Sequence, residues 1–178
     1  MRRRLVPHPG TPSSAVDSIH VDLARSAGGV LGLRYVLIGR IAELAIPPPI
    51  RSRQGTDLWR HTCFEAFFAD AEGEGYAELN VSPSTEWAGY RFESYRAGMK
   101  DANLPPPRIE VERAENRLEL RVALKLRAGG GSRRLGLSAV IEAADGNLSY
   151  WALAHPPGAP DFHHRDCFQI ELPPLGEG

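Results

Sequence analysis

The chain reads as short runs of alternating apolar and polar residues, each closed by a turn signal. Ile19, Val21 and Leu23 alternate with His20, Asp22 and Ala24. Gly28-Gly29 then supplies a tight turn, and Val30 to Ile38 is the return strand of a hairpin. Ile41 to Ile46 continues as extended chain up to Pro47-Pro48-Pro49, where three missing N–H groups force a loop. Leu58 to Ala69 is an aromatic-rich strand, Tyr76 to Val81 its partner, and Trp87 to Tyr95 a further strand. Arg96 to Asp101 fits a short helical turn. Ile109 to Arg113 and Leu118 to Leu126 flank Glu115-Asn116 as a second hairpin. Its second strand sets Leu118, Leu120, Val122, Leu124 and Leu126 against Glu119, Arg121, Ala123 and Lys125. Leu135 to Glu142, Leu148 to Ala154 and Cys167 to Leu172 complete the strands. Many short strands with turns between them predict an all-β fold, a sandwich or barrel.

The hairpin around Asp70 to Gly75 carries the most chemistry. Phe64, Ala66 and Phe68 share one face of the first strand; Ala77, Leu79 and Val81 share one face of the second. Pairing those faces gathers His61, Cys63, Glu65 and Phe67 beside Tyr76, Glu78, Asn80 and Ser82 on the other side. A one-residue slip would mix Phe with Glu on both faces, at a high burial cost. This second face reads either as the solvated side of a sheet or as a binding surface. Its mixture of rings, carboxyls and an amide suits the latter, where rings supply area and polar groups fix orientation.

Composition narrows the classes. The 178 residues carry 21 Lys and Arg against 22 Asp and Glu, a net charge of −1, and 42% are apolar. That is a globular composition, sufficient for one domain over 1–178 with frayed tails at about 1–4 and 174–178. The balance speaks against a nucleic-acid binder, and no apolar run of about 18 residues offers a membrane-spanning helix. Arg2-Arg3-Arg4 is followed by Pro7, Pro9 and Pro12 rather than by an apolar segment, so a basic first strand or arm is expected, not an export signal. With only Cys63 and Cys167, and no CxxC, reduced thiols in the cytoplasm are expected. The oligomeric state is left open.

Several residues could carry a function. Trp59, Trp87 and Trp151 could stack on a sugar ring, each with core burial as its alternative. Arg60, Glu65, Glu78, Asn80 and Arg91 lie close to Trp59 and Trp87 in the sequence and could bind hydroxyls. His155, Asp161, His163, His164, Asp166 and Cys167 include zinc-competent ligands, but at no known ligand spacing, and a polar loop explains them as well. No hydrolase elbow or phosphate loop is present. A Glu65–Glu78 glycosidase pair has the right chemistry, and haem lacks an evident His/Met ligand pair.

Leu58-Trp59-Arg60-His61-Thr62-Cys63-Phe64-Glu65-Ala66-Phe67, Tyr76-Ala77-Glu78-Leu79-Asn80-Val81-Ser82-Pro83 and Trp87-Ala88-Gly89-Tyr90-Arg91-Phe92 resemble the bacterial DOMON-like domain proteins. The closing Tyr150-Trp151-Ala152-Leu153-Ala154-His155-Pro156 and Asp161-Phe162-His163-His164 are similar to their C-terminal stretch. A more distant similarity is to family 9 carbohydrate-binding modules, at Trp59, Glu65, Glu78 and Pro83. The resemblance implies an antiparallel two-sheet β-sandwich of jelly-roll type, a binding role without catalysis, and sugars or haem as ligand classes. Unlike exported or enzyme-fused modules, this chain shows no signal.

The resulting expectation is a binding domain for a saccharide or similar small polar ligand. Its site would be Trp59, Arg60, Glu65, Glu78, Asn80 and Trp87, with Arg91, Trp151 and His155 in addition. No cofactor is expected. The alternatives are a metal-assisted enzyme built on His155, His163, His164 and Cys167, and a protein-interaction domain with no small ligand.

Overall fold

The computed structural model describes residues 1–70, 73–126 and 133–174. Twelve strands are formed among them: β1 (Arg2–Pro7), β2 (Val16–Arg25), β3 (Val30–Gly39), β4 (Cys63–Asp70), β5 (Tyr76–Val81), β6 (Trp87–Phe92), β7 (Lys100–Asp101), β8 (Arg108–Arg113), β9 (Arg117–Lys125), β10 (Arg133–Glu142), β11 (Leu148–Ala152) and β12 (Ile170–Leu172). The described residues contain no α-helix, only three short 3₁₀ turns. No helix among them is long and apolar enough to cross a membrane.

Alternation places the strands, as the β2–β3 and β8–β9 hairpins show. The differences fall where no periodicity operates. Ile41–Glu43 is a 3₁₀ turn rather than extended chain, Leu58–Arg60 is another preceding β4, and Arg165–Cys167 a third preceding β12. The segment expected to form a helical turn ends instead in β7, and Arg2 to Arg4, expected to fray, lie in β1.

The expected pair of separate sheets is one continuous antiparallel sheet curled into a half-barrel, in the order β7-β6-β5-β4-β10-β11-β1-β2-β3-β9-β8, with β12 beside the start of β10. The junction is β1. Its Arg2 to Leu5 pair with β2, whereas Val6 and Pro7 pair with β11. One strand thus changes partner midway and joins the halves.

The curl closes on the main core. Ile19, Val21, Leu33, Leu37, Leu118 and Leu120 from one half meet Phe64, Leu79, Val81, Leu137 and Ile141 from the other. On the outer side of β2, β3 and β9, Glu119 is fully buried beneath arginines. Arg34 grips it from two nitrogens, at 2.6 and 2.7 Å. That bidentate pairing is what allows a carboxylate to sit beneath them.

Candidate functional site

The face of β4, β5 and β6 opposite the main core is neither wet nor simply apolar. In β4 the residues turned this way are Cys63, Glu65 and Phe67; in β5 they are Tyr76, Glu78 and Asn80. Glu65 lies directly across from Asn80, and Glu78 across from Phe67 on one side and Tyr90 of β6 on the other. From β10 and β11 come Ser138, Val140 and Tyr150.

Three loops close over this floor and leave a cleft of about 620 Å³. Trp59 reaches it from the Leu58–Arg60 turn, Arg96 and Met99 from the segment after β6, and Phe162 and His163 from the segment between β11 and β12. Two of these loops hold non-glycine residues in the left-handed region, Asp57 at φ 53° and Arg96 at φ 54°. Such geometry survives only where the surroundings enforce it.

At Arg96 the enforcement is visible. Its backbone N–H donates to Tyr76 Oη (3.1 Å), and Tyr76 Oη shares a hydrogen bond with His163 Nδ1 (2.7 Å). Its guanidinium pairs with Asp161 at 2.7 Å. Burial holds the His163 imidazole down at about 4, so the ring is neutral at pH 7. The segment is fixed further by Cys167, whose thiol donates to the carbonyls of Ala154 and Asp161. Phe168 stacks on Phe67 at 5.9 Å, above Gly136.

The floor carries an unusual electrostatic load. Glu65 and Glu78 are only 3% and 5% exposed. Glu65 accepts from Ser138 Oγ at 2.9 Å, and Glu78 from Asn80 Nδ2 at 2.7 Å. Burial pushes both carboxyl groups well above the usual carboxylate range, and each charge raises the cost of the other. Burial likewise pushes the Cys63 thiol well up, so it is an inert neutral group.

The sequence candidates separate into three sets. Trp59, Glu65 and Glu78 line the cleft, with Asn80 buried behind Glu78. Trp87 and Trp151 are buried in the main core, on the other side of the sheet; Trp151 Nε1 donates to Ser149. Arg60, Arg91 and His155 do not line the cleft. Arg60 lies over the Trp59 ring at 5.1 Å, Arg91 is exposed, and His155 bonds the Val6 carbonyl and meets the His8 ring edge-on.

Tyr90, Phe92, Val140, Tyr150, Arg96 and Phe162 also line the cleft and are not among the expected site residues; His163, expected only as a possible metal ligand, lines it as well. Extending the strand parity into β6 would have found Tyr90 and Phe92, since they face Glu78 and Tyr76. The loop residues have no local signal.

The four possible metal ligands point to separate partners. His164 Nδ1 accepts from the Asp166 N–H, and burial pushes the Cys167 thiol up to about 12, against thiolate formation. Among the described residues no group of three or more His, Cys, Asp or Glu is placed to hold a metal ion.

No protein-family model matches the chain, and no curated protein matches it. A solved structure does. It is a Bacteroides uniformis ATCC 8492 protein described as a putative carbohydrate-binding protein, with a TM-score of 0.66 at 11% identity. The match covers 94% of this chain and 84% of that one. At that identity the likeness is one of fold.

Proposed function

We propose that the cleft binds a saccharide or similar small polar ligand and does not transform it. The observation that carries this reading is the pair of buried carboxyl groups, Glu65 and Glu78, on the floor of an aromatic-walled cleft of about 620 Å³. Sites of this size hold small ligands, with rings supplying contact area and a few polar groups setting orientation. Trp59, Tyr90, Phe92 and Phe162 supply rings for the C–H faces of a sugar; Glu65 and Glu78 meet hydroxyls.

The carbohydrate-binding description of the structural neighbour and the motif resemblance to DOMON-like and family 9 modules support the same reading. The jelly-roll type of sheet that this resemblance implies is part of the same proposal. The reading needs neither metal nor haem, and a cytoplasmic location, supported by the two free cysteines Cys63 and Cys167, is part of the proposal.

Hydrolysis is a poorer fit. A glycosidase pair flanks the scissile bond, with one carboxyl ionised while the other holds a proton. Here both carboxyls occupy one sheet face, and burial pushes both toward the neutral form.

The test is calorimetric titration of the full chain with a panel of mono- and disaccharides, followed by recovery of the sugar. Binding that is lost in Trp59→Ala and in the Glu65→Ala, Asn80→Ala double variant, with the sugar recovered intact, is the expected result. Unaltered binding in those variants, or a cleaved sugar, overturns the reading.

A further inference from the structure

We propose that the cleft selects a cationic amine, an amino sugar in the first instance, whose ammonium group lies between the Glu65 and Glu78 carboxylates. This rests on the cleft being the saccharide site argued above. It adds the charge of the ligand.

The argument is a balance of donors, acceptors and charge. The donors shown at the two glutamates, Ser138 Oγ and Asn80 Nδ2, are both neutral. Among the described residues neither glutamate takes part in an ion pair; Arg96 is paired with Asp161 at 2.7 Å and reaches Glu78 only as a more distant charge, which offsets part of the burial. A second observation is independent of the carboxyls. Asn80 is fully buried, its Nδ2 is spent on Glu78, and its Oδ1 has no partner. The floor thus holds an acceptor that its surroundings do not satisfy, and Arg96, the one cation among the described lining residues, acts on Glu78 only across space while it is paired with Asp161. Buried polar groups left in that state are costly unless something supplies the missing partners.

The remaining groups facing the floor do not supply them. Cys63 from β4 is a thiol, Tyr90 from β6 and Tyr150 from β11 are phenols, and His163 from the covering loop is neutral. An ammonium group brings three N–H donors and one positive charge in place of the single hydroxyl it replaces on a sugar. The walls suit it too, because Trp59, Tyr90, Phe92 and Phe162 can offer ring faces that attract cations. Without ligand, burial and mutual repulsion keep protons on the pair. An entering ammonium favours the ionised carboxylates, so binding releases protons to the buffer.

The experiment titrates the full chain at pH 7 with hexosamines, their parent hexoses and their N-acetyl derivatives, with ethanolamine as a cation that is not a sugar. Hexosamines should bind about 10- to 100-fold more tightly than either neutral counterpart, the range for a charge-assisted hydrogen bond. Their apparent enthalpy should shift between buffers of different ionisation heat. The Glu65→Gln, Glu78→Gln double variant keeps both shapes, and its fold is checked by circular dichroism. In this variant the ratio of hexosamine to hexose affinity should fall to about one, whatever affinity for either remains; a ratio still above 10 overturns the cation inference. Equal affinity of the natural chain for hexosamine and hexose overturns the cation inference and leaves the saccharide reading standing. Binding of ethanolamine with no sugar bound supports the cation inference and overturns the saccharide reading. No binding of any probe overturns both.

Discussion

Tyr35 Oη donates to the backbone carbonyl of Glu65 at 2.7 Å, across the core from β3 to β4. The bond ties the two halves of the curled sheet together at the residue whose side chain forms the cleft floor. Tyr35 also meets the Phe64 ring at 5.1 Å. β4 thus turns Phe64 and Glu65 to opposite sides, one into the core and one into the cleft.

Tyr35→Phe keeps that ring contact and removes the hydroxyl. Leaving a buried carbonyl without this donor should lower stability by about 1–3 kcal/mol. Chemical denaturation measures it. Ligand affinity should change little, since the Glu65 side chain is held separately by Ser138.

The glutamate pair should make stability fall as pH rises. Both folded-state carboxyls are raised above the ordinary 4.5, so the folded chain holds protons that the unfolded chain releases. Their contribution is complete below that value and is lost as pH climbs through the raised values. The Glu65→Gln, Glu78→Gln variant lacks this loss. Its stability relative to the natural chain should therefore increase between pH 5 and 8, by at most about 1.4 kcal/mol per unit for each glutamate. A flat difference across that range would sink the assignment.

His163 should act with the opposite sign. Its folded value is lowered to about 4 from 6.5, chiefly by burial. Below pH 6.5 the unfolded chain takes up a proton that the folded chain refuses, so this stability is present above 6.5 and is lost as pH falls toward 4. His163→Asn should flatten the melting temperature across that window relative to the natural chain.

Gly136 matters for what stands above it. A β-carbon there would come within 2.5 Å of Phe168 Cδ1. Gly136→Ala should push Phe168 off Phe67, cost about 1–3 kcal/mol as overpacking does, and loosen the covering segment. Faster proteolysis between residues 155 and 168 is the expected readout.

The tryptophans should divide by location. Trp59 is 46% exposed at the cleft mouth, whereas Trp87 is 4% exposed in the core. Trp59→Ala should cost little stability and weaken ligand binding. Trp87→Ala should cost about 3–5 kcal/mol, as large core truncations do. Paired denaturation and binding curves separate the two.

Much of the sheet was legible because alternation is a local property. Phe64 with Val81 and Ala66 with Leu79 are cross-strand partners, as their shared apolar face requires. The same parity gathered Glu65, Glu78 and Asn80. It did not extend to Trp87, which lies opposite Val81 and so turns to the core, taking Arg91 to that side as well.

What the sequence determined by itself is therefore most of the strands, though not β7, and the two-faced β4–β5 hairpin, since a pleated strand sends neighbouring side chains to opposite sides. What only the tertiary structure decided is that the polar face is buried. The cover comes from residues 57–61, 93–99 and 155–168, brought over the floor by contacts as distant as Tyr76 with His163 and Arg96 with Asp161. The change of partner within β1, which merges two expected sheets into one, was equally out of reach. Neither event has a period along the chain; each depends on which distant surfaces fit, and only the folded molecule brings those surfaces together.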